Sequence, residues 1–181
     1  MPAELSVTLR ECTTADAATL ALIGAATLLE AFAGFIPGES LLAHCAKYHF
    51  PDAYTAFLSQ PRNGVQARAW LAEVAPGAAP VGYGLLTAAD FPPELAQPGD
   101  LELRRLYLFS RFHGSGAARR ILALAVDAAR QQEASRLLLG VHPENYRALA
   151  FYRKSGFVQI GTRTFHVGSS TFTDPVLALT L

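Results

Sequence analysis

The 181 residues predict one α+β domain with a mostly antiparallel sheet interrupted by helices. Three observations carry this. Strand-like alternating runs occur at both ends and form hairpin-like pairs, 65–74 with 81–87 and 158–165 with 171–179. Between them, apolar residues recur at helical spacing, with capping and breaking residues at the segment ends. No internal repeat, low-complexity tract or linker divides the chain, so residues 1–181 read as a single domain large enough for a real core.

Ser6 to Glu11 alternates polar and apolar and predicts the first strand. Thr13-Thr14-Ala15-Asp16 supplies an N-cap and a first-turn acid for a helix running through Leu20, Ile23, Ala26 and Leu29 towards Phe32. Gly34, Pro37 and Gly38 break it. A second helix spans about Leu41 to Tyr48 and ends at Pro51, and Asp52 to Leu58 predicts a short third. Pro61-Arg62-Asn63-Gly64 is a turn, followed by a strand from Val65 to Val74 and a hairpin partner from Val81 to Thr87. Gly82 and Gly84 in that partner suit a bulge or a close backbone approach. Phe91 to Asp100 carries Pro92, Pro93, Pro98 and Gly99 and reads as a loop. Then come a strand at Leu101–Leu108, a small-residue turn at His113–Ala118, an alanine- and leucine-rich helix, an apolar strand at Leu137–Val141 and a helical segment from Asn145 to Phe157. Val158–Phe165 and Thr171–Leu179 close the chain as two strands.

Hydrophobic residues make up 51% of the chain and charged residues only 17%, against roughly a quarter in average proteins. Much of the excess is alanine, which suits packed helices. No apolar stretch approaches the ~18–20 residues needed to span a bilayer. Met1 to Glu4 shows no basic region leading into an apolar core, so no signal peptide is expected. Net charge is zero and the basic residues are scattered, which argues against a nucleic-acid partner. Cys12 and Cys45 are too few for a disulfide framework and lack metal-ligand spacing, so both read as small apolar residues in a reducing, cytoplasmic compartment.

The strand–turn–helix centred on His113 to Arg120 is the layout that holds a diphosphate on backbone N–H groups at a helix start. A P-loop needs a lysine and a hydroxyl after its last glycine, where Ala117, Ala118, Arg119 and Arg120 stand, so that reading fails. A dinucleotide fingerprint needs a third small residue in register and an acid at the end of the next strand; Arg119 and the run Gly140-Val141-His142 supply neither. The third reading is a Gly-x-Gly-x-Ala turn cradling the pyrophosphate of coenzyme A, weighed against a plain glycine turn before a core helix.

The surrounding residues favour the third. The whole chain resembles the GNAT acetyltransferase family, whose Gln/Arg-x-x-Gly-x-Gly/Ala signature binds the acetyl-CoA pyrophosphate. Two registers fit: Arg111 to Gly116, or His113 to Ala118. The second is preferred here, because it sets Leu106-Tyr107-Leu108 where the family's cofactor-pairing strand ends. Its cost is a histidine in place of the usual Gln or Arg. A second motif is closer: Asn145, Ala148, Phe151-Tyr152 and Gly156-Phe157 reproduce an Asn-x-x-Ala-x-x-Phe-Tyr-x-x-x-Gly-Phe pattern. Asn145 and Tyr152 then share one helix face, and Gly156 is placed to end the helix; an N-cap asparagine and an amphipathic core tyrosine are the plainer readings. Weaker cues, among them Glu102 to Tyr107, Thr164 to Gly168 and Leu29 to Phe32, are similar to the polyamine-acetylating branch.

The resemblance implies a GNAT fold, with about six or seven strands flanked by about four helices. It implies direct acetyl transfer from acetyl-CoA to a small-molecule amine, possibly a polyamine, without a metal. Acetylation of a protein N-terminus or lysine is one alternative, and a non-catalytic acyl-CoA sensor is another. The amine must lose a proton, having a pKa of ~10.4 like lysine, and the leaving thiolate, at ~8.5, gains one. Tyr152 takes the acid role. A free N–H within Leu106, Tyr107 and Leu108 holds the thioester carbonyl, and the same strand pairs with the pantetheine arm. His113, Gly114, Ser115, Gly116, Ala117, Ala118 and Arg119 form the cradle, with Asn145 and Tyr152 beside it. Glu102 is the candidate base, against a surface carboxylate paired with Arg104 or Arg10; strict alternation sets it on the face of Leu106 and Leu108, not of Tyr107. Glu30 is a candidate contact for a cationic substrate. His142 and His166 are placed near the site, and one of Arg119 and Arg120 faces solvent. Family members are often dimers, and Val176 to Leu179 is the strand a homodimer would share or pair.

Overall fold

The computed structural model describes residues 6–181, so the N-terminal reading of Met1 to Glu4 lies outside the described residues. Seven strands, β1 (Val7–Glu11), β2 (Arg68–Val74), β3 (Ala79–Ala88), β4 (Leu101–Leu108), β5 (Arg136–Gly140), β6 (Val158–Val167) and β7 (Ser170–Thr180), form one sheet in the order β1-β2-β3-β4-β5-β7-β6. Five helices flank it: α1 (Ala17–Phe32), α2 (Gly38–Tyr48), α3 (Pro51–Ser59), α4 (Ala117–Gln131) and α5 (Tyr146–Lys154). This is the mixed, mostly antiparallel architecture that the sequence predicts. Pro51 opens α3 rather than merely closing α2, since a residue without an N–H fits the first helical turn.

The strand pairs are antiparallel except β4 with β5, which are parallel and registered only at Leu101↔Leu137 and Glu102↔Leu138. Beyond those pairs the two strands part. The β3–β4 ladder slips where Leu86 faces Leu103 but Leu85 faces Arg105, leaving Arg104 as a bulge. The slip reverses alternation. Leu101, Leu103, Leu106 and Leu108 all pack towards α4, around Leu122, Ala125, Ala117 and Ile121. Tyr107 packs on the opposite side with Leu20, Tyr54 and Tyr83, beneath α1 and α3. Glu102 therefore shares the face of Arg105 and Tyr107, not that of Leu106 and Leu108: unbroken alternation misplaces it because one extra residue moves every later side chain to the other face.

Close approach explains the strand glycines. A Cβ on Gly84 would lie 2.3 Å from Ile121 Cγ2, so its absence lets α4 settle on β3. β7 lies between β5 and β6 and pairs with both, so Val176–Leu179 has no free edge for a second subunit; the outer strand is β6.

The membrane expectation needs correction. Thr14–Phe32 forms 19 helical residues with mean hydropathy 1.5, long and apolar enough to cross a membrane by length and composition alone. Alanine supplies much of that hydropathy, and here the helix lays Leu20, Ala21 and Ile23 on the sheet while Leu22 is 70% exposed.

Candidate active site

Where β4 and β5 part, β4 keeps an open edge. Phe109 donates its N–H to the Val81 carbonyl on β3 at 2.9 Å. Backbone groups alternate along a strand, so Tyr107 also turns to β3, and Leu106 and Leu108 turn theirs into the gap towards β5. That gap opens into a cavity of about 700 Å³, within the range of small-ligand sites. Leu106, Tyr107 and Leu108 form one wall, Gly114, Gly116, Ala118 and Arg119 a second, and Asn145, Ala148, Phe151 and Tyr152 a third. The C-terminal end of α1, with Glu30, Phe32 and nearby Phe35, closes the side towards His142.

The second wall is the start of a helix. Gly114 (φ +87°) and Gly116 (φ +78°) are both left-handed, and neither has a heavy atom within 4 Å of where a Cβ would be, so the turn presents bare backbone. α4 begins at Ala117, whose N–H reaches Ser115 Oγ at 3.3 Å, and its first intrahelical bond runs from Arg120 N–H to the Gly116 carbonyl. The N–H groups of Ala118 and Arg119 precede that bond and have no intrahelical acceptor. A diphosphate fits such a turn, which offers free donors, the positive end of a fifteen-residue helix and no side chain in the way. The left-handed pair also bears on the register: Gly114 and Gly116 are the small positions of Arg111–Gly116, whereas Ala118, the last residue of the preferred His113–Ala118 register, already lies inside α4. Ser115 and Ala117 contribute backbone and a local contact but do not line the cavity.

The side chains sort themselves by partner. Arg119 lines the cavity, while Arg120 turns away and donates to the Val7 carbonyl at 2.6 Å. His113 donates from Nε2 to the Leu108 carbonyl at 3.0 Å, and its other ring nitrogen faces the Arg147 guanidinium. Burial, then the Arg147 charge, pulls His113 below the ordinary histidine pKa, so the ring is neutral at pH 7. Arg147 is a cavity residue that the sequence reading did not single out; its position inside the Asn145–Phe157 motif was the available signal.

On α5, Asn145 does what the plainer reading proposed, accepting from the Ala148 N–H at 3.1 Å as N-cap, and it also faces the cavity. Tyr152 lies two turns on along the same helix, 8% exposed, its ring edge-on to Phe151 and Phe157. Burial, with a smaller contribution from Tyr107, holds its phenol well above the ordinary tyrosine pKa, so it is protonated at neutral pH.

Two predicted acidic contacts are engaged elsewhere. Glu102 is 1% exposed and does not line the cavity. Arg104 Nη1 donates to its Oε2 at 3.2 Å, and Arg163 Nη1 to its Oε1 at 3.4 Å. The partnership with Arg104 was the alternative reading, though at a buried site rather than on the surface; Arg10 instead pairs with Asp16 and Glu73. Arg163 reaches Glu102 by lying across β5 at Gly140, where a Cβ would be 2.5 Å from Nη2. Glu30 stands on the cavity rim, but its carboxylate accepts from the Ser110 N–H at 3.0 Å and hydroxyl at 2.9 Å, tying α1 to the segment after β4. His142 lines the cavity between Phe32 and Phe172. His166 does not: it lies on exposed β6 against Thr171 Oγ1. Among the described residues there is no group of three or more His, Cys, Asp or Glu side chains arranged to hold a metal.

Comparison with known proteins gives the family and the fold. The sequence model described as "Acetyltransferase (GNAT) family" matches residues 38–157. An uncharacterized N-acetyltransferase of Mycobacterium tuberculosis (strain H37Rv) is 32% identical over 162 residues, covering 90% of this chain and 96% of that protein. Among solved structures, PaiA N-acetyltransferase from Thermoplasma acidophilum in complex with coenzyme A superposes with a TM-score of 0.76 at 18% identity, covering 97% of this chain and 99% of that one. Ribosomal-protein-alanine N-acetyltransferase from Brucella melitensis gives a TM-score of 0.69 at 24% identity, covering 96% and 99%. These two likenesses establish the fold.

Proposed function

The chain belongs to the GNAT acetyltransferase family, and from that premise we propose that it is an acetyl-CoA-dependent N-acetyltransferase acting on a primary amine of a small molecule. The observation that carries the reading is the meeting, in one cavity, of the open β4 edge, the bare N-terminus of α4 and the Tyr152 phenol. Acetyl-CoA supplies the activated acetyl group as co-substrate. Its pyrophosphate would rest on the backbone of Gly114–Arg119, in the Arg111–Gly116 register, with Arg119 and Arg147 as nearby cations. The thioester carbonyl would take an N–H from Leu106 or Leu108, donors already fixed by the strand and therefore costing little reorganisation.

In the transfer the amine nitrogen bonds to the acetyl carbon as the carbon–sulfur bond breaks. The amine attacks in its neutral form, its ammonium proton having passed to water; the Tyr152 hydroxyl gives its proton to the departing sulfur, and the second proton shed by the nitrogen restores the phenol. Glu102 has no part in this scheme, because both its oxygens are held by arginines away from the cavity. The test is Tyr152→Phe. We expect kcat to fall about 100-fold, the usual scale for losing a general acid, while acetyl-CoA binding measured by titration calorimetry stays within threefold. Unchanged kcat would remove Tyr152 from the chemistry.

A further inference from the structure

Six buried side-chain nitrogen or oxygen atoms among the described residues lack a hydrogen-bond partner, and five of them belong to the α1–α2 side of the sheet: His44 Nδ1, Arg105 Nη1, His142 Nε2, Arg163 Nε and Asp174 Oδ1. Buried polar atoms are rarely left unpaired, so these five take their partners from outside the chain, from water or from a ligand. The residues form a connected surround. Arg163 stacks on Phe165, Phe165 approaches His44, and His44 packs on His49. His49 bonds the Tyr54 hydroxyl at 3.0 Å, and Tyr54 donates to Tyr83 at 3.3 Å. Tyr83 stacks on Tyr107, which is part of the cavity wall. The surround thus meets the proposed acetyl-transfer cavity at Tyr107, Phe32 and His142, on the side away from α4, with Arg105 and Asp174 behind that wall.

Charge is unevenly spread across it. Glu102 is neutralised by Arg104 and Arg163. Asp90, on the exposed rim, is shared by Arg104 and Arg62. Asp174, 4% exposed, is the cross-strand partner of Arg163, yet its Oδ1 accepts from nothing. Arg105 has no carboxylate at all among the described residues: its guanidinium lies 5.2 Å above the Tyr54 ring, Nη2 reaches only the Tyr48 carbonyl at 3.4 Å, and Nη1 is unpartnered. A cation held among three tyrosines without a counter-ion pays a desolvation cost that an arriving anion removes. Each further ammonium of a polyamine would add positive charge to a surround already in excess by Arg105.

We propose that the acceptor is an amino-carboxylate on an apolar body, its carboxylate taken by Arg105 and its ammonium presented to Asp174 Oδ1. Phe32 and Phe172, which sandwich His142, and Phe165 beside His44 supply the apolar walls. This assignment rests on the acetyltransferase reading and narrows it. The unpaired atoms then form a recognition pattern: one cation and one carboxylate, each lacking its opposite, on a face that also holds aromatic rings.

Matched acceptors test it. Thiol release from acetyl-CoA is followed with leucine and phenylalanine, with isopentylamine and phenylethylamine, which lack the carboxylate, with leucinamide, and with spermidine. We expect kcat/KM for the amino acids to exceed that for the matched amines by about 30-fold or more, the scale on which one partner of a buried charge pair is felt. Arg105→Gln should bring the amino acids down to the level of the amines, while the amines change less than about threefold, and Arg105→Lys should keep much of the preference. Acetyl-CoA protection against heat, measured on each variant, reports that the protein is folded and that the cofactor cradle works. The proposal fails if an amine or spermidine is used as well as the amino acids. It also fails if Arg105→Gln lowers both classes by one factor, or if acetyl-CoA protects the protein yet no amino-carboxylate is acetylated. Loss of acetyl-CoA protection in the unaltered protein would instead sink the acetyltransferase reading itself.

Discussion

Replacing Glu102 by glutamine separates a base from a structural ion pair. The side chain is 2% exposed and accepts from Arg104 and Arg163 at 3.2 and 3.4 Å. Glutamine keeps the shape but removes the charge and turns an amide N–H towards one of the guanidinium groups. Removing one partner of a buried pair costs about 3–5 kcal/mol. The lower end applies here, because the Arg104 and Arg163 side chains are 26% and 15% exposed and can turn to water. About 3 kcal/mol in a chain of this size lowers Tm by about 6–12 °C. Differential scanning calorimetry should show that loss. At a temperature well below both transitions, kcat should stay within about threefold, and the acid limb of the pH profile should not move. A variant with unchanged Tm, kcat reduced 100-fold and a displaced acid limb would refute the structural account and restore Glu102 as the base.

Three further outcomes follow from the same geometry. Gly116→Glu should abolish acetyl-CoA binding in titration calorimetry, because it places a carboxylate and a left-handed side chain at the anion cradle; equal binding would show that the cradle lies elsewhere. Gly140→Val should displace Arg163, whose Nη2 is 2.5 Å from the added Cβ, and so undo the Glu102 pair. Its Tm loss combined with Glu102→Gln should be less than the sum of the two, and full additivity would show that the sites are independent. Burial pushes Asp174 up to about 6, against the pull of Arg163, while an unfolded aspartate titrates near 4. Between those values the folded state holds the proton and the unfolded state does not, so the stability contributed by this group rises as pH falls from about 6 to 4 and is lost as pH rises through 6. Urea unfolding of Asp174→Asn should lack that slope, and a slope of opposite sign in the parent protein would contradict the assignment.

Local rules carried much of the fold. Proline and glycine punctuation, the Thr13–Asp16 cap, the hairpin alternation and the Asn145–Phe157 motif each depend on residues close in the chain. They located the strands and helices to within a few residues and brought Tyr152, Asn145, Gly114 and Gly116 to one cavity. The weaker placements all involve partners distant in sequence. Glu102 changes face because of a bulge that only the β3 pairing reveals. Glu30 is claimed by Ser110, 80 residues away, and Arg120 by Val7, 113 residues away. Asp174 and Arg105 acquire their surroundings only when β7 slots between β5 and β6 and Tyr48, at the end of α2, meets Arg105 on β4.

By itself, then, the sequence determined the family motifs, the glycine turn that opens α4 and the place of Tyr152 on α5, because turn geometry and helix phase are set within a few residues. The tertiary structure decided which charges are spent on one another and which are left without a partner, because that depends on strand order, on one bulged residue and on where the helices cover the sheet.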